Sequence, residues 1–212
     1  EDISIINTNT RKEKIKNFFI NYKKSLIATV SLVLLIIFTY FLLVEVKDRK
    51  IKSLSEKYNN IIINFNNSSK INIKNQLVEI IKEKDSTYSP LALYFIIDNE
   101  LQATNEEINQ YFDIIINETK VEKEIKNLII YKKGLFNSEF ENENNLMIIL
   151  NPLIKSESIW KSHALYLIAE YFFDKNQKQK AKEFYEKILI YEKSNENIKF
   201  EAQKRLNRDL SE

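Results

Sequence analysis

Residues His163–Lys193 read HALYLIAEYFFDKNQKQKAKEFYEKILIYEK and contain two amphipathic helical patterns in succession. In the first, four apolar residues follow the spacing i, i+3, i+4, i+7 of one helix face: Leu165, Ile168, Ala169 and Phe172. In the second, the spacing is i, i+4, i+7: Ala181, Tyr185 and Ile188. Small Ala169 and Ala181 let two helix backbones approach, while Phe172 and Tyr185 fill the space beside them. The stretch predicts a packed helix pair with six packing residues: Leu165, Ile168, Ala169, Phe172, Ala181 and Tyr185.

The same pattern recurs toward the N-terminus at intervals of about 30 to 40 residues, the range of helix-pair repeats. First helices of further pairs are indicated at Tyr58–Phe65, Tyr88–Phe95 and Ile125–Lys132, and second helices at Ile73–Ile80, Ile108–Ile115 and Leu146–Leu153. One helix pair cannot bury its apolar face alone, so stacked pairs complete the core. The sequence therefore predicts an all-α helix-pair solenoid.

Several residues indicate where these helices begin and end. Three pairs have the types that begin helices: Ser89 with Pro90, Thr104 with Glu107, and Asn176 with Gln179. Gly134 is expected to end the helix that begins near Val121, because glycine often follows the last helical turn. Pro152 lies inside the Leu146–Leu153 pattern, so we expect a bend or break near Asn151.

Residues Ser25–Val44 read SLIATVSLVLLIIFTYFLLV and carry neither a charge nor a helix breaker. About 20 such residues cross the roughly 30 Å hydrocarbon core of a bilayer as a helix. A cleaved secretory signal would have a shorter apolar region that ends in small residues, whereas Tyr40–Leu43 is bulky. We therefore predict a transmembrane helix over residues 25–45.

Basic residues flank this segment on both sides: Arg11, Lys12, Lys14, Lys16, Lys23 and Lys24 before it, and Lys47, Arg49, Lys50 and Lys52 after it. The excess before the segment favours an N-terminus in the cytoplasm. Ile15, Phe18, Phe19 and Tyr22 share one helical face among the lysines. This flank either lies along an anionic membrane surface or is a plain charged flank. Three regions result: an N-terminal tail with an amphipathic juxtamembrane segment (1–24), the transmembrane helix (25–45) and a helical repeat domain (46–212).

Composition argues against catalysis and against nucleic-acid binding. The 32 basic and 30 acidic side chains are mixed along the chain, so no basic surface marks a nucleic-acid partner. The absence of cysteine excludes thiolate metal sites and a cysteine nucleophile, and a single glycine excludes phosphate-binding loops. His163 and Trp160 are interpreted as structural. Six carboxylates are interpreted as solvated helix faces: Glu106, Glu107, Glu122, Glu124, Glu141 and Glu143. No catalytic, cofactor or metal site is predicted, and the protein is expected not to be an enzyme.

The stretch His163–Lys193 resembles a tetratricopeptide repeat in its alternation of large, small and aromatic positions. The resemblance rests on large Leu165 and Ile168, small Ala169 and Ala181, and aromatic Phe172 and Tyr185. The repeat usually has alanine where this chain has Ile188, and a proline near the position of Lys193. The stretch is thus similar to a divergent member of that repeat class.

The layout from Lys14 to about Lys193 also resembles a bacterial family of single-span, tetratricopeptide-like ancillary subunits of the Sec translocon. Three segments carry this resemblance: EKIKNFFINYKKS (13–25), YSPLALYFIIDNE (88–100) and WKSHALYLIAEYFFDKNQKQKAKEFYEKIL (160–189). The family tends to have tryptophan where this chain has Phe18 and Phe19. The resemblance implies a bacterial inner-membrane protein with a periplasmic repeat domain, without cofactors. Its implied partners are translocon subunits, periplasmic chaperones or client proteins.

The leading hypothesis is therefore a membrane-anchored scaffold that binds other proteins and the lipid bilayer. A structural envelope or cell-division scaffold is an alternative function. A membrane-tethered cytosolic adaptor is the better interpretation if the topology is reversed. The partner-binding residues are not identified by the sequence.

Overall fold

The structure is a computed structural model that describes residues 2–67 and 69–210. These residues form nine α-helices and one 3₁₀ turn, and they include no strand. The helices are α1 (Asp2–Ile63), α2 (Lys70–Lys82), α3 (Tyr88–Asp98), α4 (Asn105–Glu118), α5 (Lys123–Asn137), α6 (Glu143–Ile154), α7 (Lys161–Asp174), α8 (Lys178–Ile190) and α9 (Glu196–Asp209). The predicted all-α class is confirmed over these residues.

Helix α1 contains the apolar segment that the sequence predicts to cross a membrane. By length and composition α1 can span a bilayer, and its apolar side chains from Ile27 to Val46 are exposed. The hydroxyl groups of Thr29 and Thr39 donate to the backbone carbonyl oxygens of Ser25 and Leu35 at 2.9 and 2.7 Å. Their polar atoms are thus satisfied inside the helix, as an apolar environment requires.

The chain divides into two compact units, one ending at Ser53 and the other beginning at Leu54. The second unit holds two clusters of buried apolar side chains. The first cluster draws on the end of α1 and on α2 to α5. The second cluster draws on α5 to α9 and includes the six predicted packing residues, each 2% exposed or less. Ile129 belongs to the first cluster and Ile130 to the second, so α5 is shared by both.

Each of the helices α2 to α8 packs against the helix that follows it in the chain. Contacts also occur between helices two apart, and these contacts involve a different set of helices before and after α5. In the first half α2 packs on α4. In the second half α5 packs on α7, and α7 packs on α9. Before α5, the helices in contact are therefore α2 and α4, each the second helix of its pair. From α5 onward they are α5, α7 and α9, where α5 and α7 are each the first helix of a pair.

Gly134 does not end α5, contrary to the sequence prediction. The helix continues to Asn137, and Gly134 faces the fully buried Leu150 of α6. An ideal Cβ at position 134 would lie only 2.3 Å from Leu150 Cδ2. Glycine is needed here because the Leu150 side chain occupies the space that a Cβ would need, and not because a turn requires its backbone freedom.

Of the bend or break predicted near Asn151, the break is wrong, because Pro152 does not interrupt α6. The helix runs continuously from Glu143 to Ile154 with Pro152 in its last turn. A proline removes one backbone N–H donor. Only two helical residues follow it, and fully buried Leu153 holds this turn in the second cluster.

The start signals are confirmed at one position and wrong at two. Thr104 and Glu107 form the predicted capping box at the start of α4. Ser89 lies inside the first turn of α3, where its hydroxyl group donates to the carbonyl oxygen of Ile80 at 3.0 Å. Asn176 precedes α8 with φ 58°, a left-handed conformation that asparagine tolerates, and its side chain does not cap that helix.

Helix α9 lies at the C-terminal end of the second cluster. No apolar pattern in the sequence predicted this helix. Arg205 joins α9 to α7 through two contacts with the Glu170 carboxylate, at 2.9 and 2.5 Å. Tyr185 of α8 donates to the same carboxylate at 2.6 Å. Burial, followed by this hydrogen bond, raises the pKa of Tyr185 far above its usual value. Three helices therefore meet at Glu170.

Candidate binding groove

An open groove crosses α4, α5 and α6 and is the leading candidate for a functional site. Its volume is about 470 Å³. We call it the α4–α6 groove, and its lining residues are Asn105, Glu106, Asn109, Gln110, Asp113, Lys133, Asn137, Phe140, Glu141, Asn145, Ile148 and Ile149. Five of these residues carry amide side chains, which both donate and accept hydrogen bonds. The lining is therefore suited to polar recognition.

A reciprocal amide pair connects α4 and α5 in this groove. Asn109 Nδ2 donates to Asn137 Oδ1 at 2.9 Å, and Asn137 Nδ2 donates to Asn109 Oδ1 at 2.8 Å. Asn137 is 1% exposed, and it also donates to the backbone oxygen of Lys133 at 2.7 Å. These bonds fix the position of Asn137. Asn109 is only half-buried and keeps one N–H and one lone pair for another molecule.

Charged groups give the groove an excess of negative charge. Lys133 is its only cation, and the Lys133 ammonium lies 2.7 Å from Asp113 Oδ1. Glu141 Oε2 accepts a hydrogen bond from the Asn145 amide at 2.7 Å, which leaves the charge of the carboxylate in place. Glu106 is exposed in the first turn of α4. Three carboxylates against one ammonium leave two uncompensated negative charges.

Apolar side chains reach solvent at one side of the groove. Phe140 is 42% exposed and Ile148 is 71% exposed. The Phe140 ring packs edge-on against Phe136, with 5.2 Å between ring centroids, so Phe140 has a supported position. Exposed apolar groups next to polar ones are common at protein-binding surfaces.

The chemical groups of the groove are amides, carboxylates, one ammonium and apolar side chains. Its amide groups do not titrate, and it contains no histidine, serine or cysteine. Across residues 2–67 and 69–210, no group of three or more His, Cys, Asp or Glu side chains is arranged to hold a metal ion. The groove can therefore present hydrogen bonds, charge and apolar surface to a partner.

A second, smaller depression lies between α3 and α5, above Phe112 of α4. Its volume is about 370 Å³. Lys132 Nζ lies 4.9 Å from the ring centroid of Tyr94, within the range of a cation–π contact. Burial raises the pKa of Tyr94 to about 12. The Tyr94 hydroxyl group is buried and has no hydrogen-bond partner among the described residues. A buried phenol group therefore lines this depression.

His163 and Trp160 form an aromatic contact between α5 and the start of α7. The ring of Trp160 stacks on Tyr131 with 5.6 Å between centroids. The ring of His163 lies 5.1 Å from Trp160 and 5.8 Å from Tyr131. His163 Nδ1 is buried without a hydrogen-bond partner in the part of the chain described. The three rings pack together.

Four of the six acidic residues interpreted as solvated helix faces also make specific side-chain contacts. Glu107 and Glu122 cap α4 and α5 with their side chains. Glu124 accepts from Ser158 at 2.6 Å, and Glu143 pairs with Lys180 at 2.8 Å. The contacts of Glu124 and Glu143 join segments distant in the chain, which helical periodicity does not reveal. The other two line the α4–α6 groove: Glu106 and Glu141.

The groove residues were missed because asparagine is abundant throughout this chain. The available signal was positional: Asn105, Asn109 and Asp113 recur at intervals of four on α4, and Asn137 and Asn145 flank the turn between α5 and α6. Residues four apart share one helix face. That spacing indicates a polar stripe on α4, although only the fold brings it to α5 and α6.

Comparison of the chain with protein-family models, curated proteins and solved structures finds no match. The all-α fold, the apolar helix α1 and the α4–α6 groove are therefore the observations from which function is argued.

Proposed function

We propose that this protein is a membrane-anchored scaffold that binds other proteins, and that it serves the Sec translocon by linking translocated proteins to periplasmic chaperones. The observation that carries the binding role is the α4–α6 groove, with its amide lining and exposed apolar side chains. In this proposal α1 crosses the bacterial inner membrane, with the N-terminus in the cytoplasm and the helical domain in the periplasm.

The groove supports a binding role through the groups that it leaves available. Asn105, Gln110 and Asn145 are exposed, and Ile148 offers apolar surface beside them. Interfaces between proteins combine an apolar centre with polar groups at the rim. A partner that covers these side chains removes apolar area from water while it pairs the amides.

The anchor supports the same proposal because it keeps the helical domain close to the membrane. A domain held at a membrane meets membrane-bound partners at a raised effective concentration. Even a weak groove interaction is then sufficient for function. The excess of basic residues before the span supports the orientation with the N-terminus inside.

We also propose that the helical domain is a divergent tetratricopeptide-like solenoid. Successive helix pairs with one apolar pattern support it, as does the burial of Ala169 and Ala181, two small residues of the last pair. The change in alternate-helix contacts at α5 makes this array irregular. An irregular array presents different surfaces in its two halves, which fits a groove confined to α4–α6.

Two experiments on the full chain test the proposal. Reporter enzymes active on only one side of the membrane, fused after Glu212, are expected to report a periplasmic C-terminus. A photo-crosslinking amino acid at Gln110 in the groove is expected to capture translocon subunits or periplasmic chaperones, whereas one at exposed Lys204 on α9 is not. A cytoplasmic C-terminus, or equal capture from both positions, would contradict it.

A structural scaffold for the envelope or for cell division is a second candidate. Phe200 on α9 is 67% exposed and Ile190 at the end of α8 is 78% exposed, so the C-terminal end of the array leaves apolar surface for another copy. This candidate predicts crosslinks between copies from position 200 and enrichment at the division site. If the C-terminus is cytoplasmic, a membrane-tethered adaptor becomes the better account.

A further inference from the structure

We infer that the α4–α6 groove binds an extended segment of a partner protein that carries a basic residue next to a large apolar one. The inference rests on the proposed binding function and specifies the chemistry of the partner. Four observations support it: the amide lining, the fixed amide pair, the uncompensated carboxylates and the exposed apolar side chains.

The amide side chains favour a partner in extended conformation. Asn105, Gln110 and Asn145 each present both donor and acceptor groups to solvent. A backbone inside a helix has already paired its N–H and C=O groups, whereas an extended strand offers both kinds of group at every residue. Asn109, held by Asn137, supplies a further donor and acceptor in a fixed position. An extended backbone therefore matches this lining best.

The charges of the groove favour a basic side chain in that segment. Asp113 is paired with Lys133, while Glu106 has no ion-pair partner within the described part of the chain. Glu141 receives only a neutral amide donor on its side chain. A lysine or arginine of the partner would compensate these carboxylates, and an acidic segment would be repelled. Charge complementarity thus separates basic from acidic partners.

The apolar side of the groove specifies the neighbouring residue. Phe140 and Ile148 expose apolar surface along the same lining as Glu106 and Glu141. A leucine- or phenylalanine-sized side chain would cover it and remove that surface from water. A segment that combines a basic and a large apolar residue satisfies both features.

The test uses the purified full chain in lipid nanodiscs and short fluorescent peptides. One peptide alternates lysine and leucine, and a matched peptide has glutamate in place of lysine. By fluorescence anisotropy we expect the basic peptide to bind about tenfold more tightly, with an affinity that decreases as salt rises. Equal affinity of the two peptides would overturn the basic specificity.

Variants then locate the binding site. Glu106→Lys is expected to weaken binding of the basic peptide about fivefold, and Glu106→Gln by a smaller factor. Glu183 is an exposed residue of α8 and lies outside the groove. Glu183→Lys makes the same charge change there and is expected to leave the affinity for the basic peptide unchanged. Circular dichroism checks that each variant keeps its helices. An equal loss from Glu106→Lys and Glu183→Lys would overturn the assignment to the groove.

The extended conformation has its own test. Methylation of alternate backbone nitrogens in the basic peptide removes donors without changing its side chains. We expect this peptide to bind at least about fivefold more weakly. Unchanged affinity would overturn the pairing of the amides with a partner backbone.

Failure of this inference can be distinguished from failure of the proposed function. If the crosslinker at Gln110 captures envelope proteins but the two peptides bind equally, the scaffold function stands and the partner chemistry is overturned. If neither crosslinks nor peptide binding occur, both are overturned.

Discussion

At the scale of single residues, Gly134 shows how a missing side chain leaves room for a side chain of the neighbouring helix. Glycine inside a helix costs about 1 kcal/mol relative to alanine, so its presence in α5 requires a compensating contact. That contact is the approach of Leu150 to the position that a Cβ would occupy. The sequence identified the unusual residue but assigned it to a helix end, because only the packed structure supplies the neighbour.

We expect Gly134→Ala to lower the free energy of unfolding by about 1–2 kcal/mol, because the clash with Leu150 outweighs the gain in helix propensity. Urea denaturation measures the change. Leu135→Ala, a half-exposed position on the same helix, serves as the control and is expected to cost less than about 1 kcal/mol.

A double mutant separates the clash from other effects of the alanine. In a Leu150→Ala background the obstructing side chain is gone, so Gly134→Ala is expected to stabilise the chain by up to about 1 kcal/mol. A destabilising effect of equal size in both backgrounds would show that Leu150 is not the cause.

The raised pKa of Tyr94 predicts how the free energy of unfolding depends on pH in the alkaline range. Burial raises its pKa from 10.0 to about 12 in the folded chain. Between these values the unfolded chain binds fewer protons than the folded chain, so the free energy of unfolding falls as pH rises. Below pH 10 this contribution is fully present.

Tyr94→Phe is therefore expected to reduce that alkaline loss, by on the order of 1 kcal/mol between pH 10 and pH 12. At pH 7 the variant is expected to be as stable as the original chain or more so, because it removes a buried hydroxyl group without a partner. Urea midpoints measured across this pH range test both statements. An unchanged pH dependence would contradict the role assigned to Tyr94.

At the scale of helices, apolar periodicity predicted the repeat helices because each of them buries one face. Each of the eight predicted segments overlaps the end of α1 or one of α2 to α8. Helix α9 was missed because its sequence ENIKFEAQKRLNRD is mostly polar, and Ala202 is its only buried residue. Its Arg205 pairs with Glu170 of α7, a contact that no local pattern displays.

Arg205 is expected to hold α9 in place. Its side chain is 25% exposed and pairs with Glu170, which is 22% exposed. Arg205→Gln removes the charged partner of that carboxylate, so we expect a loss of about 1–2 kcal/mol in the free energy of unfolding and faster amide exchange in α9. Hydrogen exchange measured by mass spectrometry locates the effect.

The neighbouring Lys204→Gln is a matched control, because it also removes one positive charge from α9. Its ion pair with Glu201 is an exposed contact within one helix, of the kind that contributes little. Exchange in α9 is expected to stay unchanged in this variant. Equal acceleration in both variants would indicate that net charge, and not the Glu170 contact, holds the helix.

The α4–α6 groove could not be predicted from the sequence, since three helices contribute to it. Asn109 and Asn137 are 28 positions apart, and their pairing follows from how α4 and α5 pack. In a chain rich in asparagine the identity of these residues carries little information. The four-residue spacing on α4 can be recognised in the sequence, but the residues that face it from α5 and α6 cannot.

At the scale of the whole molecule, the sequence located the apolar segment of α1 correctly because span length and absence of charge are local properties. Leu35→Arg places a charge in the middle of that segment, at an insertion cost of about 2.5–3.5 kcal/mol. We expect this variant to appear partly in the soluble fraction after alkaline carbonate extraction. Leu35→Ala is the control and is expected to stay in the membrane pellet, so loss of both would point to general misfolding.

The division of the buried side chains at Ile129 and Ile130 has a consequence for how the chain is made. All buried residues of the first cluster precede Ile130, so they are synthesised before any buried residue of the second cluster. The first half can close around α5 while the rest is still emerging, and its surface then serves as a template for α6 and α7. Synthesis from the N-terminus thus matches the order in which the two cores become complete, and this shortens the time for which nascent apolar helices are exposed to one another.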